Sequence, residues 1–217
     1  EGNRDAVGEF AVGLLVALMR NIPHAHSEVV DFKWKREENR GEEIMSKTVG
    51  LIGYGNMGKA FGQRLSGFGC KILAYDKYKS RFGDNFCAEA TMDEIFNETD
   101  ILSLHIPLTA ETRGMVNSAY LNRFSRNIIV LNTARAEILP LEDLANALKS
   151  GKVRGAALDV LENEKINALS EHQLQSFKYL SGNTNVIFTP HIAGWTFESH
   201  EKINVALVDK LKLLGIG

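Results

Sequence analysis

The sequence predicts an α/β protein, a doubly wound parallel sheet with helices on both faces. Three observations carry this. Short apolar runs alternate with helix-compatible segments from residue 48 to the C-terminus, the pattern of strands joined by helical crossovers. One run, 48–52, flows directly into the glycine-rich turn Gly53-Tyr-Gly55-Asn-Met-Gly58 and then into a helix-like segment. The next apolar run closes on an acid, Asp76.

Strands are expected at 48–52, 71–75, 101–105, 127–131, 155–158 and 185–188. Ahead of them, Ala6, Val7, Phe10, Leu14, Leu15 and Leu18 belong to a helix over 6–19 that is apolar on nearly all sides. Such a helix must be largely buried, here against its own sheet and also against a second subunit or a further domain. A polar stretch follows at 31–43. Between the strands, Thr91-x-x-Glu94 reads as a capping box, Asn117 as a helix N-cap, and Gly151 as the stop after a helix over 141–149. The polar segment 162–181 reads as a long loop containing a helix, and 198–214 as a closing helix. No repeat or interdomain linker interrupts 1–217, which is read as one domain.

Composition narrows the function. A chain of 217 residues can bury a full core, and its formal net charge of -2 leaves no basic surplus for a phosphate backbone, so no nucleic-acid partner is expected. The two cysteines, Cys70 and Cys87, form no pattern; a disulfide framework and a metal site are not expected, and a reducing cytoplasm fits. The apolar segment 6–19 contains Glu9 and is too short to span a bilayer, so no membrane partner is expected.

The glycine turn with its flanking strand, helix and acid reads as a dinucleotide-binding βαβ unit of the Rossmann type. Gly53 permits the tight turn, Gly55 lets the backbone approach a pyrophosphate, and Gly58 allows close helix–strand packing. The pyrophosphate then rests on free amides at the helix start. Asp76 would accept from both hydroxyls of the adenosine ribose and repel the extra phosphate of NADP, so NAD is the expected cofactor. Lys77, Lys79 and Arg81 could hold a phosphate, but Asp76 sits at the strand end itself and outweighs them.

Ligands bind beyond the carboxyl ends of the strands in such sheets, so the residues there carry the chemistry. Arg135 follows the fourth strand and can hold a carboxylate through its planar fork. Asp159 ends the fifth, close enough to accept from a nicotinamide carboxamide, with Glu162 and Glu164 beyond it. His191 follows the sixth, between Pro190 and a turn containing Gly194. Singly, each has an ordinary alternative: an arginine can solvate a loop, acids can form a solvated turn, and a histidine can sit on the surface. Together they suit reduction of a 2-keto acid, with Arg135 anchoring the carboxylate and His191 giving the proton. Glu164, bonded to the other ring nitrogen, would fix the tautomer of His191 and favour the imidazolium.

The motifs Gly2-Asn-Arg-Asp-Ala-Val-Gly-Glu9, Gly53 to Gly58, His105-Ile-Pro107-Leu-Thr109, Asn132-Thr-Ala-Arg135, Leu158-Asp159-Val160 and Pro190-His191-Ile-Ala-Gly194 resemble, in this order, the nucleotide-binding domain of the D-isomer-specific 2-hydroxyacid dehydrogenases. The phosphoglycerate dehydrogenase branch, and with it serine biosynthesis, is the most similar. The resemblance implies Arg135, Glu164 and His191 as catalytic residues. It implies Gly53, Gly55, Asn56, Met57, Gly58, Asp76, His105, Pro107, Thr112, Ala134, Asp159 and His191 as cofactor contacts. A small 2-hydroxy or 2-keto acid is the implied substrate, with 3-phosphoglycerate leading, and a homodimer through the cofactor domain is the implied assembly. The family's substrate-binding domain is expected to be absent from this chain, which should then bind NAD but turn substrate over poorly. The alternative is an NAD-sensing interaction protein that keeps the fold without the chemistry. Two positions depart from the family pattern: Ala136 stands where glycine is usual, putting the local turn in question, and Lys165 stands where proline is usual, next to Glu164 with which it could pair.

Overall fold

In the computed structural model, which describes residues 2–213, the strands are β1 Thr48–Ile52, β2 Lys71–Tyr75, β3 Ala88–Glu89, β4 Ile101–Leu104, β5 Ile128–Asn132, β6 Val153–Leu158 and β7 Val186–Phe188. They form one sheet in the order β3-β2-β1-β4-β5-β6-β7, with every neighbouring pair parallel. Every residue of β1, β4 and β5 is buried. That requires helices on both faces, because side chains alternate across a strand. Along β5, Ile128 and Val130 enter one core cluster, while Ile129 and Leu131 enter the other.

The helices are α1 Arg4–Met19, α2 Ile22–Val30, α3 Asn56–Leu65, α4 Met92–Glu98, α5 Ser118–Asn122, α6 Leu141–Lys149, α7 Glu171–Ser181 and α8 Phe197–Leu213. One core cluster takes Leu121 of α5 and Leu141, Leu144 and Leu148 of α6; the other takes Ala11, Leu14, Leu15 and Leu18 of α1 and Phe61 and Leu65 of α3. The two helices of the second layer touch at backbone distance, since a Cβ added at Gly8 would lie 2.9 Å from the Ala60 carbonyl oxygen. Packing on the chain's own sheet therefore accounts for the apolar face of α1. Among the described residues no single helix is long and apolar enough to cross a membrane; α1 and α2 meet that test only as a pair bent by 61°.

The expected punctuation is in place. Thr91 and Glu94 form a reciprocal capping box on α4, Asn117 caps α5 through the Tyr120 amide, and Gly151 adopts φ +76° just past α6. Several boundaries differ from the sequence reading. β4 stops at Leu104, β5 is displaced one residue to end at Asn132, and β6 begins earlier, at Val153. The expected strand at 185–188 starts at Val186. The closing helix begins at Phe197, and its expected last residue, Leu214, lies outside the described residues. Two elements were not anticipated. β3 is only two residues long. Helix α2 starts after Asn21, which takes a left-handed conformation, and carries Pro23 in its first turn; a short, mixed segment of this kind has no strong periodicity to read.

Chain direction sets where ligands can go. From β1 the chain moves outward to β2 and β3, then returns across the sheet to β4 and continues the other way. The connections at the carboxyl ends of β1 and β4 thus diverge and leave a crevice between them.

Candidate active site

The glycine turn leaves β1 at this switch point. Gly53 has φ +92°, a conformation that glycine adopts without a Cβ penalty, and a Cβ there would also lie 2.6 Å from the His105 carbonyl oxygen. A Cβ on Gly58 would run into the carbonyl oxygen of Gly53, which explains how closely α3 approaches β1. Gly55 has open space where a Cβ would stand, and it precedes α3 without any side-chain cap. The first amides of α3 are therefore free to receive an anion.

Asp76 follows β2. Its carboxylate accepts from the backbone amides of Tyr54 at 2.9 Å and Tyr78 at 3.1 Å, so it is fixed to the glycine turn while staying partly exposed. The neighbouring lysines are committed elsewhere. Lys77 pairs with Glu111, and Lys79 donates to the Tyr54 carbonyl at 2.7 Å.

A cleft of about 670 Å³ opens between the loops, bordered by Met57, His105, Pro107, Ala134, Arg135 and His191 among others. His105 continues β4, donating its amide to Ile52. Its ring lies 5.4 Å from that of Phe61 and bonds through Nε2 to Ser103 Oγ at 2.9 Å. Burial pushes its pKa down to about 4, so it is a neutral wall of the cleft at physiological pH. Thr112 does not border the cleft. Its hydroxyl donates to the Pro107 carbonyl at 2.7 Å and accepts from the Thr109 amide, closing the loop that presents Pro107. Asn56 opens α3 on an exposed position outside the cleft lining.

The loop after β5 is shaped by Asn132, a residue quoted in the sequence motif without a role of its own. Fully buried, it accepts from the Ala134 amide and donates to the Arg135 carbonyl, each at 3.0 Å. Arg135 is exposed at the cleft, its guanidinium donating to the Ala134 carbonyl at 2.6 Å. Ala136 causes no strain: it is buried at the start of a short 3-10 turn and is absent from the residues with positive φ. Beside Arg135, the Thr133 hydroxyl is buried at the cleft without a partner among the described residues. An orphaned hydroxyl here, with the open space at Gly55 and the uncapped α3, fits a dinucleotide lying along the carboxyl ends of β1, β4 and β5.

His191 and Glu164 meet as expected, His191 Nδ1 lying 2.5 Å from Glu164 Oε1. With Nδ1 engaged, Nε2 is the nitrogen left for the cleft. Lys165 does not compete, and its amide instead donates to Asn163. His191 itself has φ +56°, a left-handed conformation uncommon outside glycine, although histidine enters it more often than most residues.

Asp159 has a structural task that the sequence reading does not include. The residue is 0% exposed, and its carboxylate accepts from Thr189 Oγ1 at 2.6 Å, the Ile192 amide at 3.0 Å and the Ala193 amide at 2.8 Å. In this arrangement it braces the loop carrying His191, with two bonds on Oδ1 and one on Oδ2. Glu162 likewise turns inward, accepting from the Leu141 amide at the start of α6. Sequence reading could place both acids at a strand end but not say which way they turned, because their partners lie 20 to 35 residues away.

The family model described as D-isomer specific 2-hydroxyacid dehydrogenase, NAD binding domain, matches residues 12–193. The chain is 37% identical over 212 residues to a hydroxypyruvate reductase of Thermotoga maritima, covering 97% of itself and 67% of that protein. It is 34% identical over 220 residues to a D-3-phosphoglycerate dehydrogenase of Synechocystis, covering 100% of itself and 38% of that protein. Among solved structures, a D-lactate dehydrogenase from Aquifex aeolicus complexed with NAD and lactic acid aligns at a TM-score of 0.87 and 28% identity, over 98% of this chain and 67% of that one. The chain thus spans between 38% and 67% of the length of these proteins. Sequence match, sheet order and the glycine turn agree, and the chain belongs to the D-isomer-specific 2-hydroxyacid dehydrogenases, as their NAD-binding domain.

Proposed function

We propose that the protein interconverts a D-2-hydroxy acid and its 2-keto acid, with Arg135, His191 and Glu164 as the groups that act on the substrate. The observation that supports this most is the His191–Glu164 pair beside the same cleft that Arg135 and the glycine turn border. NADH, when bound, supplies the hydride. Arg135 grips the substrate carboxylate with parallel hydrogen bonds and so orients the carbonyl. His191 delivers a proton to the carbonyl oxygen from Nε2 and takes it back in the reverse direction. Glu164 holds Nδ1, which fixes the ring's orientation and leaves Nε2 to face the substrate.

The substrate is a small 2-hydroxy or 2-keto acid, and hydroxypyruvate and 3-phosphoglycerate are the two leading candidates, since the relatives named for these substrates are of similar identity. A phosphoglycerate role, and serine biosynthesis with it, rests on the second candidate. The substrate is gripped jointly with a further domain, because the relatives extend well beyond the matched region. Assembly as a homodimer through the cofactor domain in the cytoplasm completes the reading; the exposed Phe32 and Trp34 are the surface it would cover.

The test is NADH oxidation by the complete protein with hydroxypyruvate, phosphohydroxypyruvate, glyoxylate and pyruvate, beside Arg135→Ala and His191→Ala. A loss of at least about a hundredfold in each variant is expected. Equal rates in variants and wild type would remove the assigned roles, and NADH binding without turnover of any keto acid would leave a cofactor-sensing protein in place of an enzyme.

A further inference from the structure

Tyr54 stands between the first two glycines of the turn, a position that needs no particular side chain to bend the backbone. Yet it is 3% exposed, and each of its polar atoms is engaged with the segment that follows β2. Its amide donates to Asp76 at 2.9 Å, and its carbonyl accepts from Lys79 at 2.7 Å. Its hydroxyl lies 3.1 Å from both carboxylate oxygens of Asp84, and its ring packs on Phe82 with centroids 5.5 Å apart. Asp84 is fixed in turn by the Phe86 amide at 2.9 Å and by Lys59 of α3 at 3.2 Å.

Residues 77 to 82 are otherwise largely exposed, so without these ties the segment would have to be ordered when ligand arrives. Ordering a loop on binding costs affinity, and holding it beforehand recovers that cost. Burial raises the pKa of the Tyr54 hydroxyl, keeping it a donor. Burial works against ionisation of Asp84, but the Phe86 amide, Lys59 and Tyr54 together hold its carboxyl below the usual range. The tie is therefore a neutral donor on a charged acceptor, the stronger kind of hydrogen bond.

We propose that Tyr54 and Asp84 are positioning residues that lock the ribose-reading Asp76 to the phosphate-binding turn, so that the adenosine half of the cofactor meets one preformed surface. The proposal rests on the reading of the turn and Asp76 as the dinucleotide site.

The experiment is calorimetric titration of the full chain with ADP-ribose, which carries the adenosine and pyrophosphate without the nicotinamide ring, for wild type, Tyr54→Phe, Asp76→Ala and the double variant, with melting curves for each. Tyr54→Phe is expected to weaken binding about tenfold, the worth of one good hydrogen bond. In the Asp76→Ala background the same change should do almost nothing, because the residue acts through Asp76. Asp84→Asn, which keeps an oxygen for the hydroxyl, should recover most of the affinity that Asp84→Ala loses, and this pair decides the matter if Tyr54→Phe fails to fold. Wild-type affinity in Tyr54→Phe, or losses that multiply in the double variant, would overturn the proposal. Failure of wild type itself to bind ADP-ribose would instead overturn the reading of the site on which it rests.

Discussion

Replacing Asp159 by asparagine separates two tasks that the residue could perform. In the structure its carboxylate is fully buried and accepts three hydrogen bonds, two on Oδ1 and one on Oδ2. Asparagine keeps one oxygen. With that oxygen in the place of Oδ1, the bonds to Thr189 and Ile192 survive, but the new NH₂ group faces the Ala193 amide, donor against donor. One charge-assisted bond, about 1.5–3 kcal/mol, is lost and a buried amide is left unpaired at about 1–3 kcal/mol. Some relaxation of the loop offsets part of this, and a net loss of about 2–4 kcal/mol is expected, or a drop in melting temperature of roughly 5–15 °C for a domain of this size. Urea unfolding and melting of Asp159→Asn beside wild type measure the loss, and titration with NADH on the folded variant measures affinity. A bracing residue gives a large stability loss with NADH affinity retained by the folded variant. If the variant melts with wild type and only NADH affinity falls, the carboxylate reaches the cofactor directly and the bracing argument is wrong.

Gly58→Ala puts a Cβ against the carbonyl oxygen of Gly53, backbone that cannot step aside; α3 must shift from β1, with about 1–3 kcal/mol lost and NADH binding, followed by fluorescence, largely abolished. His105, pushed from 6.5 down to about 4 by burial, binds fewer protons folded than unfolded between those values. Its stabilising effect is therefore complete above pH 6.5 and falls as pH drops through the window towards 4, by roughly 3 kcal/mol in all. Urea midpoints of wild type should decline more steeply from pH 6.5 to 4 than those of His105→Gln. Glu42 is held down to about 2 by Arg154 first and Lys47 second, so its contribution is present above pH 4.5 and lost as pH falls towards 2. Because the side chain is 45% exposed, solvent screening limits the effect to about 1 kcal/mol or less, read as the gap between wild type and Glu42→Gln closing in acid.

What could be read from the sequence was what neighbours along the chain decide. The turn at Gly53 to Gly58, the capping box at Thr91 and Glu94, and the runs that became β1 and β2 are each fixed within a few residues, and the structure has them where expected. The contact of His191 with Glu164 follows from the order of strand ends, a longer inference that the parallel sheet makes possible. The orientation of Asp159, the brace that Asn132 gives the Arg135 loop, and the grip of Tyr54 on Asp84 were not legible. In the first and last the partners come from different loops, and their meeting depends on how strands line up in register. Asn132 acts locally, yet an asparagine after a strand reads equally well as a cap, a turn or a solvated residue.

His191 combines these threads, because its backbone is left-handed at φ +56° and a Cβ there costs about 1–2 kcal/mol. Something must hold it. The Ile192 and Ala193 amides that follow it, and the Thr189 hydroxyl before it, all donate to buried Asp159, so the strand-end carboxylate keeps the loop in a shape that the histidine alone would leave. If so, His191→Gly and His191→Ala should both lose activity, since both lack the imidazole, but they should differ in stability. Glycine relieves the strain, and its greater freedom in the unfolded chain takes back only about 0.5–1 kcal/mol. The glycine variant is therefore expected to be at least as stable as the alanine variant, by up to about 1 kcal/mol in urea unfolding. An alanine variant clearly more stable than glycine would mean that position 191 is not strained, and that Asp159 holds the loop against nothing.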